Sequence, residues 1–209
     1  MTTSQIPTMV ENVGRFATRL QHSVIALILL GVCPSGALAQ GGHSHTMTTQ
    51  QTAGQDSRAA ALIQSVRQAT ERFKDVTVAE KEGYALGFGC VSGDDYGAMG
   101  LHYINGDILN GGEVDVNRPQ IVIYEPQATG ESRLIGADYL VFAKEWDKKK
   151  VGPPQLMGQL FHHFESPNRF GLPAFYTLHV WAWKDNPNGA FVNWHPNVSC
   201  QSFVGQTTP

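Results

Sequence analysis

Four stretches that alternate like β-strands each carry one ionisable residue inside an otherwise apolar run: His102, Glu125, Asp138 and His179. Groups of this kind are rarely buried unless they neutralise, pair with one another or share a metal. On a two-residue period Glu125 shares a face with Ile121 and Ile123, and Asp138 with Leu134 and Leu140. His179 likewise shares one with Thr177, Trp181 and Trp183. With those faces turned inward, two imidazoles and two carboxylates meet inside a sheet. That donor set suits one divalent transition metal, Zn, Cu, Fe or Mn. The imidazoles would be its neutral nitrogen donors, and the carboxylates its ligands or orienting groups. An open position on such an ion allows Lewis-acid or redox chemistry. The plainer alternative is a hydrogen-bonded His–carboxylate network that sets strand register. The candidates are scattered along the chain rather than closely spaced, so both readings stand.

A fifth candidate ligand comes from the segment after Pro153-Pro154. This segment reads as a helix with Leu156, Met157, Leu160, Phe161 and Phe164 on its apolar face. At about 100° per residue, His163 falls at the edge of that face, near a pocket rim, and His162 lies in solvent. Glu165 is spaced from His162 for a surface ion contact. Tyr124, Tyr176, Trp181 and Trp183 could line a ligand cavity, which supports a second reading: a carrier of apolar small molecules with a Trp-lined cavity. A third is a structural or interaction protein of the cell envelope with a solid core. There is no GxSxG elbow, HExxH, P-loop or GxGxxG, and no residue pattern names a reaction.

The compartment follows from the first forty residues. Arg15 and Arg19 precede the apolar run 24–32, too short to span a bilayer, and Ala37-Leu38-Ala39 supplies a small-residue cleavage site. Residues 1–39 therefore read as a cleavable signal peptide, directing the chain to the periplasm or outside the cell, with no membrane span after cleavage. Acylation of Cys33 is the rival reading, but Val32 fits such a site poorly. Cleavage leaves Cys90 and Cys200, which an oxidising compartment would pair into a structural disulfide closing a loop of about 110 residues. The net charge of −3 and the lack of a basic aromatic platform argue against nucleic acid as a partner.

Residues 40–56 are polar and small and read as a disordered linker. His43 and His45 in it form an HxH pair that could bind Cu or Zn loosely, although two incidental histidines in a polar tail explain it as well. From Ser57, Leu62, Val66, Ala69 and Phe73 form one stripe of an amphipathic helix, with Asp56 or Ser57 as its cap. Thr77-Val78-Ala79-Glu80 is a capping box for a second, short helix ending at Gly83.

Strands are predicted over 100–104, 120–125, 134–142 and 175–183, with turns at Asn105-Gly106, Asn110-Gly111-Gly112 and Pro187-Asn188-Gly189. Connections too short for repeated crossover helices make the sheet mostly antiparallel. The expected fold is a single α+β domain over 57–209, its N-terminal helices packed on that sheet, with a partly closed barrel as one form of it.

Across 97–105 (GAMGLHYIN), 119–126 (PQIVIYEP), 134–142 (LIGADYLVF) and 178–200 (LHVWAWKDNPNGAFVNWHPNVSC) the chain resembles a group of exported, uncharacterised bacterial proteins. The resemblance implies export and a shared fold, and no activity or cofactor. That group is expected to carry Asn at the position of His195 and Glu at that of Asp138. Asp is one methylene shorter, which would shift any ligand geometry at that position.

Overall fold

A computed structural model describes residues 49–93 and 95–208, apart from the side chains of 49–53. The leader, Cys33, His43, His45 and the first part of the expected linker lie outside the described residues. Helix α1 (Thr49–Thr70) begins ahead of Asp56 and Ser57, within the segment expected to be linker. Its stripe runs into a 3-10 turn (Glu71–Lys74), and Leu62, Val66, Ala69 and Phe73 are all buried. Helix α2 (Val76–Lys81) is capped by Asp75, whose carboxylate accepts the Thr77 N–H at 3.0 Å. The cap thus lies two residues before the expected box, because Asp75 already satisfies the first free amide.

The strands are β1 (Tyr84–Gly93), β2 (Gly97–Asn105), β3 (Ile121–Pro126), β4 (Ser132–Phe142), β5 (Gln155–Leu156), β6 (Gln159–Leu160), β7 (His162–Phe164), β8 (Phe175–Val180) and β9 (Thr207–Thr208). Seven of them form one sheet in the order β7-β8-β4-β3-β2-β1-β9, antiparallel throughout except for the β1–β9 pair, and curled into half a barrel. Two short helices, α3 (Gly106–Gly111) and α4 (Ala143–Asp147), sit at strand ends. The architecture is α+β.

Alternation along β4 and β8 gives the two faces different jobs. Ala137, Tyr139, Leu178 and Val180 pack against Leu62 and Val66 of α1, and Val122 and Tyr124 continue that layer onto Phe73 and Ala79. Asp138 and His179 fall between these residues in sequence and so project from the opposite face. There, Ile121, Ile123, Leu140, Phe175 and Trp181 form a separate core closed by the long loops after β7 and β8.

Four local expectations are corrected. The segment after Pro153-Pro154 is a β5–β6 hairpin followed by β7, not a helix. Met157 and Gly158 both take positive φ (49° and 87°) between the paired residues Leu156 and Gln159, a two-residue turn whose twist suits a hairpin. Leu156 and Phe161 are buried, whereas Met157 and Leu160 are exposed, so the apolar spacing does not mark a helical face. Strand β1 is a second difference. No strand is predicted ahead of residue 100, yet β1 pairs with β2 around a bulge in which Phe88 and Gly89 take φ of 63° and 64°, and Gly89 is required because a Cβ there would collide with the Gln206 carbonyl. A bulge in β4 is the third. Ile123 pairs with Gly136 but Tyr124 with Leu134, which moves Leu134 to the helix-covered face, away from Asp138. At Asn105-Gly106 the chain enters α3 rather than a plain turn, the Asn105 side chain accepting from the Asp107 and Ile108 N–H groups.

Cys90 and Cys200 are disulfide-bonded across a separation of 110 residues, with Cα atoms 5.8 Å apart. Among the described residues no helix is long and apolar enough to cross a membrane. The bond ties the C-terminal segment to β1 and restricts the unfolded chain. Replacing both cysteines by serine should cost about 3–5 kcal/mol in urea unfolding; a loss under about 1 kcal/mol would mean that packing alone holds that segment.

Candidate metal centre

His102, Asp138 and His179 come together on the face opposite the helices, each buried, with one possible ligand atom apiece lying within 4.8 Å of the others. Register explains the meeting. Asp138 pairs directly with His179 across β4–β8 and with Ile121 across β3–β4, and His102 on β2 pairs with Ile123, one diagonal step away. The Nε2 atoms of His102 and His179 are 3.4 Å apart. Two nitrogens bound to one tetrahedral zinc at the usual bond length would be separated by about 3.4 Å.

Proton placement sharpens this. His102 Nδ1 lies 3.1 Å from the Gly100 carbonyl, an acceptor only, so Nδ1 carries the proton and Nε2 presents a lone pair. Asp138 Oδ1 accepts the Thr177 hydroxyl, and Oδ2 lies 3.5 Å from His179 Nδ1. That nitrogen has no hydrogen-bond partner, although it is buried. The Nε2 lone pair of His102 faces His179 Nε2, and the tautomer of His179 decides whether that contact is a hydrogen bond or a pair of facing lone pairs. With its proton on Nδ1, His179 would turn a second lone pair to the same point, the arrangement that a cation between the rings would hold.

Neither imidazole takes up a second proton at neutral pH. Burial, and then the neighbouring His179, push the His102 imidazolium down to about 4. Burial, reinforced by His162, takes His179 down to about 3. The same burial raises the Asp138 carboxyl to about 6 against the Thr177 hydrogen bond. The cluster as it stands is therefore a neutral imidazole pair beside a carboxylate with no lysine or arginine bound to it among the described residues. The donor set fits a divalent ion.

The other sequence candidates are placed elsewhere. Glu125 lies two residues farther along β3 than Ile123, bound by Lys184 at 2.8 Å and by Arg133. Burial pushes its carboxyl up, but the two cations outweigh that and hold it below the usual value. His163 sits on β7 with its ring 4.8 Å from that of Tyr176 and Nδ1 3.5 Å from Glu165. Being in a strand, it points away from the cluster rather than to a pocket rim.

Tyr124 is core, its hydroxyl donating to the Phe73 carbonyl, and Tyr176 donates to Asp147 near the surface. Trp183 donates to the Thr70 hydroxyl on the helix side. Trp181 lies beside the centre, 5.9 Å from the His179 ring, with its indole N–H bonded to the Val192 carbonyl. His195, fully buried, donates from Nε2 to the Asp185 carbonyl and accepts the Asn197 N–H at Nδ1, so both its nitrogens are satisfied within the loop.

Thr177 was visible only as a same-face neighbour of His179, and its grip on Asp138 needed the β4–β8 register. Asn193, with its Oδ1 buried and without a partner, lies in a loop that carries no periodic signal. A comparison with protein-family models, with curated proteins and with solved structures finds no match to this chain.

The metal-free protein should respond to acid in a defined way. Below the ordinary imidazole value of 6.5 the unfolded chain protonates His102 while the folded chain does not until about pH 4, so folding stability falls as pH falls through that window. Asp138 acts in the opposite sense between about 6 and 3.8, the folded form taking its proton first. Against His102→Leu, the native chain should lose about 1.4 kcal/mol per pH unit between about pH 6 and pH 4 in urea unfolding. A pH-independent difference between the two would show that the buried imidazole is charged after all.

Proposed function

We propose that this protein is an exported metal-binding domain holding one divalent transition ion between His102, His179 and Asp138. The observation that carries the reading is the pair of imidazole Nε2 atoms 3.4 Å apart beside the buried Asp138 carboxylate, a spacing that matches two nitrogens on one ion. His102 and His179 would donate through Nε2 and Asp138 through Oδ2, while the Thr177 hydroxyl holds Oδ1 and fixes the carboxylate plane. Gly100 plays the same part for His102, accepting its Nδ1 proton and setting the tautomer. Two imidazoles and one carboxylate admit zinc, iron, copper or manganese and leave a position open. When bound, the ion would supply Lewis acidity or a redox centre at that position. Export is supported by the leader-like N-terminus and by the disulfide, which persists in an oxidising compartment.

The test is metal content and metal-dependent stability of a chain carrying His43→Ser and His45→Ser, so that the tail histidines do not count. One ion per chain is expected after purification without chelator. Restoring zinc at a hundredfold excess over Kd should stabilise the chelated protein by about 2.7 kcal/mol. Trp181, beside His179, should report uptake by fluorescence. His102→Ala, His179→Ala and Asp138→Ala should each abolish both effects. Absence of metal, together with an unfolding temperature unmoved by Zn, Cu, Fe or Mn, would remove the reading.

A further inference from the structure

His102, Asp138 and His179 are buried, so an ion they share must reach them from solvent. A hydrated dication gives up its water only where other donors replace it. The cleft beside the two imidazoles suits that exchange poorly. Most of its wall is phenylalanine, leucine, isoleucine and methionine, and no carboxylate or cysteine lines it.

Strand β7 supplies what the cleft lacks. It is three residues long, lies at the edge of the sheet and pairs with β8. His162 is opposite Thr177, His163 opposite Tyr176 and Phe164 opposite Phe175. Partners across a strand pair share a face, and the rings show which face it is. Phe164 stacks on Phe175 at 5.0 Å, and both line the cleft together with Thr177, His102 and His179. The His163 and Tyr176 rings meet at 4.8 Å, and strand alternation puts them on the other side. His162 therefore stands on the imidazole face, one diagonal step from His179, and unlike His102, Asp138 and His179 it is exposed. Its charge, when protonated, bears on the His179 ring, the one influence besides burial that lowers that imidazole. Between His162 and the centre lies Thr177, whose hydroxyl reaches the Asp138 carboxylate. An exposed imidazole, a hydroxyl oxygen and a buried carboxylate lead in that order from solvent to the centre.

We infer that His162 is the entry ligand of the metal centre: it takes the hydrated divalent ion at the sheet edge and passes it inward beside Thr177 to Asp138, His179 and His102. The final donor set does not include it, because the three buried ligand atoms converge without it. The inference rests on the metal reading and adds to it a residue that governs the rate of loading rather than the loaded state.

The test is stopped-flow mixing of the chelated mature chain, carrying His43→Ser and His45→Ser, with zinc, followed by tryptophan fluorescence. The zinc-loaded chain is mixed with excess EDTA in the reverse direction. His162→Ala should slow both uptake and release about tenfold, with one zinc per chain and an unchanged Kd at equilibrium. His163→Ala, one residue away on the other face, should leave both rates at the native value. His162→Asp restores a donor and should recover most of the lost rate, which a role in merely holding β7 in place would not allow. Equal rates in the native chain and His162→Ala overturn the entry ligand and leave the metal centre standing. Faster release with weaker affinity in His162→Ala also overturns it, by making His162 a permanent ligand. Equal slowing by His163→Ala overturns it too, by tracing the effect to the edge strand and not to a donor. A native chain that takes up neither zinc nor Cu, Fe or Mn removes the metal centre and its entry ligand together.

Discussion

The carboxylate of Asp138 is the constraint around which the loop-covered face is arranged. It is buried, it accepts the Thr177 hydroxyl, and among the described residues no lysine or arginine reaches it. A carboxylate so placed either takes a proton or needs a cation close by. Beyond Thr177 and the backbone amides of Tyr139 and Leu178, it faces imidazoles that burial keeps neutral. An ion bound between the imidazoles would answer the unmatched charge of that carboxylate.

Glu125 shows the contrast within the same sheet. It is nearly as buried, yet Lys184 and Arg133 satisfy it, and Lys184 also donates to the Asn197 carbonyl in the closing loop. One carboxylate is thereby used to fasten the loop after β8, and the other is left among the imidazoles with no cationic side chain beside it among the described residues. His195 follows the Glu125 pattern among the histidines: its ring is satisfied within the loop, and its backbone bridges to Ala98 on β2. Being polar and buried is thus common to all of these residues. What separates them is whether a protein partner completes their valence.

The division of the two faces makes the site possible. Helices α1 and α2 seal one face with a continuous apolar layer, while the other is closed by irregular loops contributing Phe170, Leu172 and Asn193. Loops can leave a slot where a helix would fill it, because they lack a continuous apolar stripe to lay down. The bulge at Phe88 and Gly89 places the Phe88 ring on the same face as the imidazole pair.

Much of this was legible in residues alone. The stripe Leu62, Val66, Ala69 and Phe73, the alternation that isolates His102, Asp138 and His179 in apolar strands, and the pairing of Cys90 with Cys200 all follow from local periods and from cysteine count. Those signals are intrinsic to short windows, so they survive without knowledge of the fold. Register is not. Which carboxylate meets the histidines depended on the β3–β4 bulge and on Lys184 arriving from a distant loop to claim Glu125. The hairpin at Met157-Gly158 overrode a spacing that fitted a helix equally well, because a positive-φ turn and pairing of β7 to β8 decide the conformation and a four-residue apolar period does not. His162 acquired meaning only from its place opposite Thr177 at the sheet edge. Residue types and their local periods determined the candidates; only the packing of strands and loops from far-apart parts of the chain decided which of them share a site.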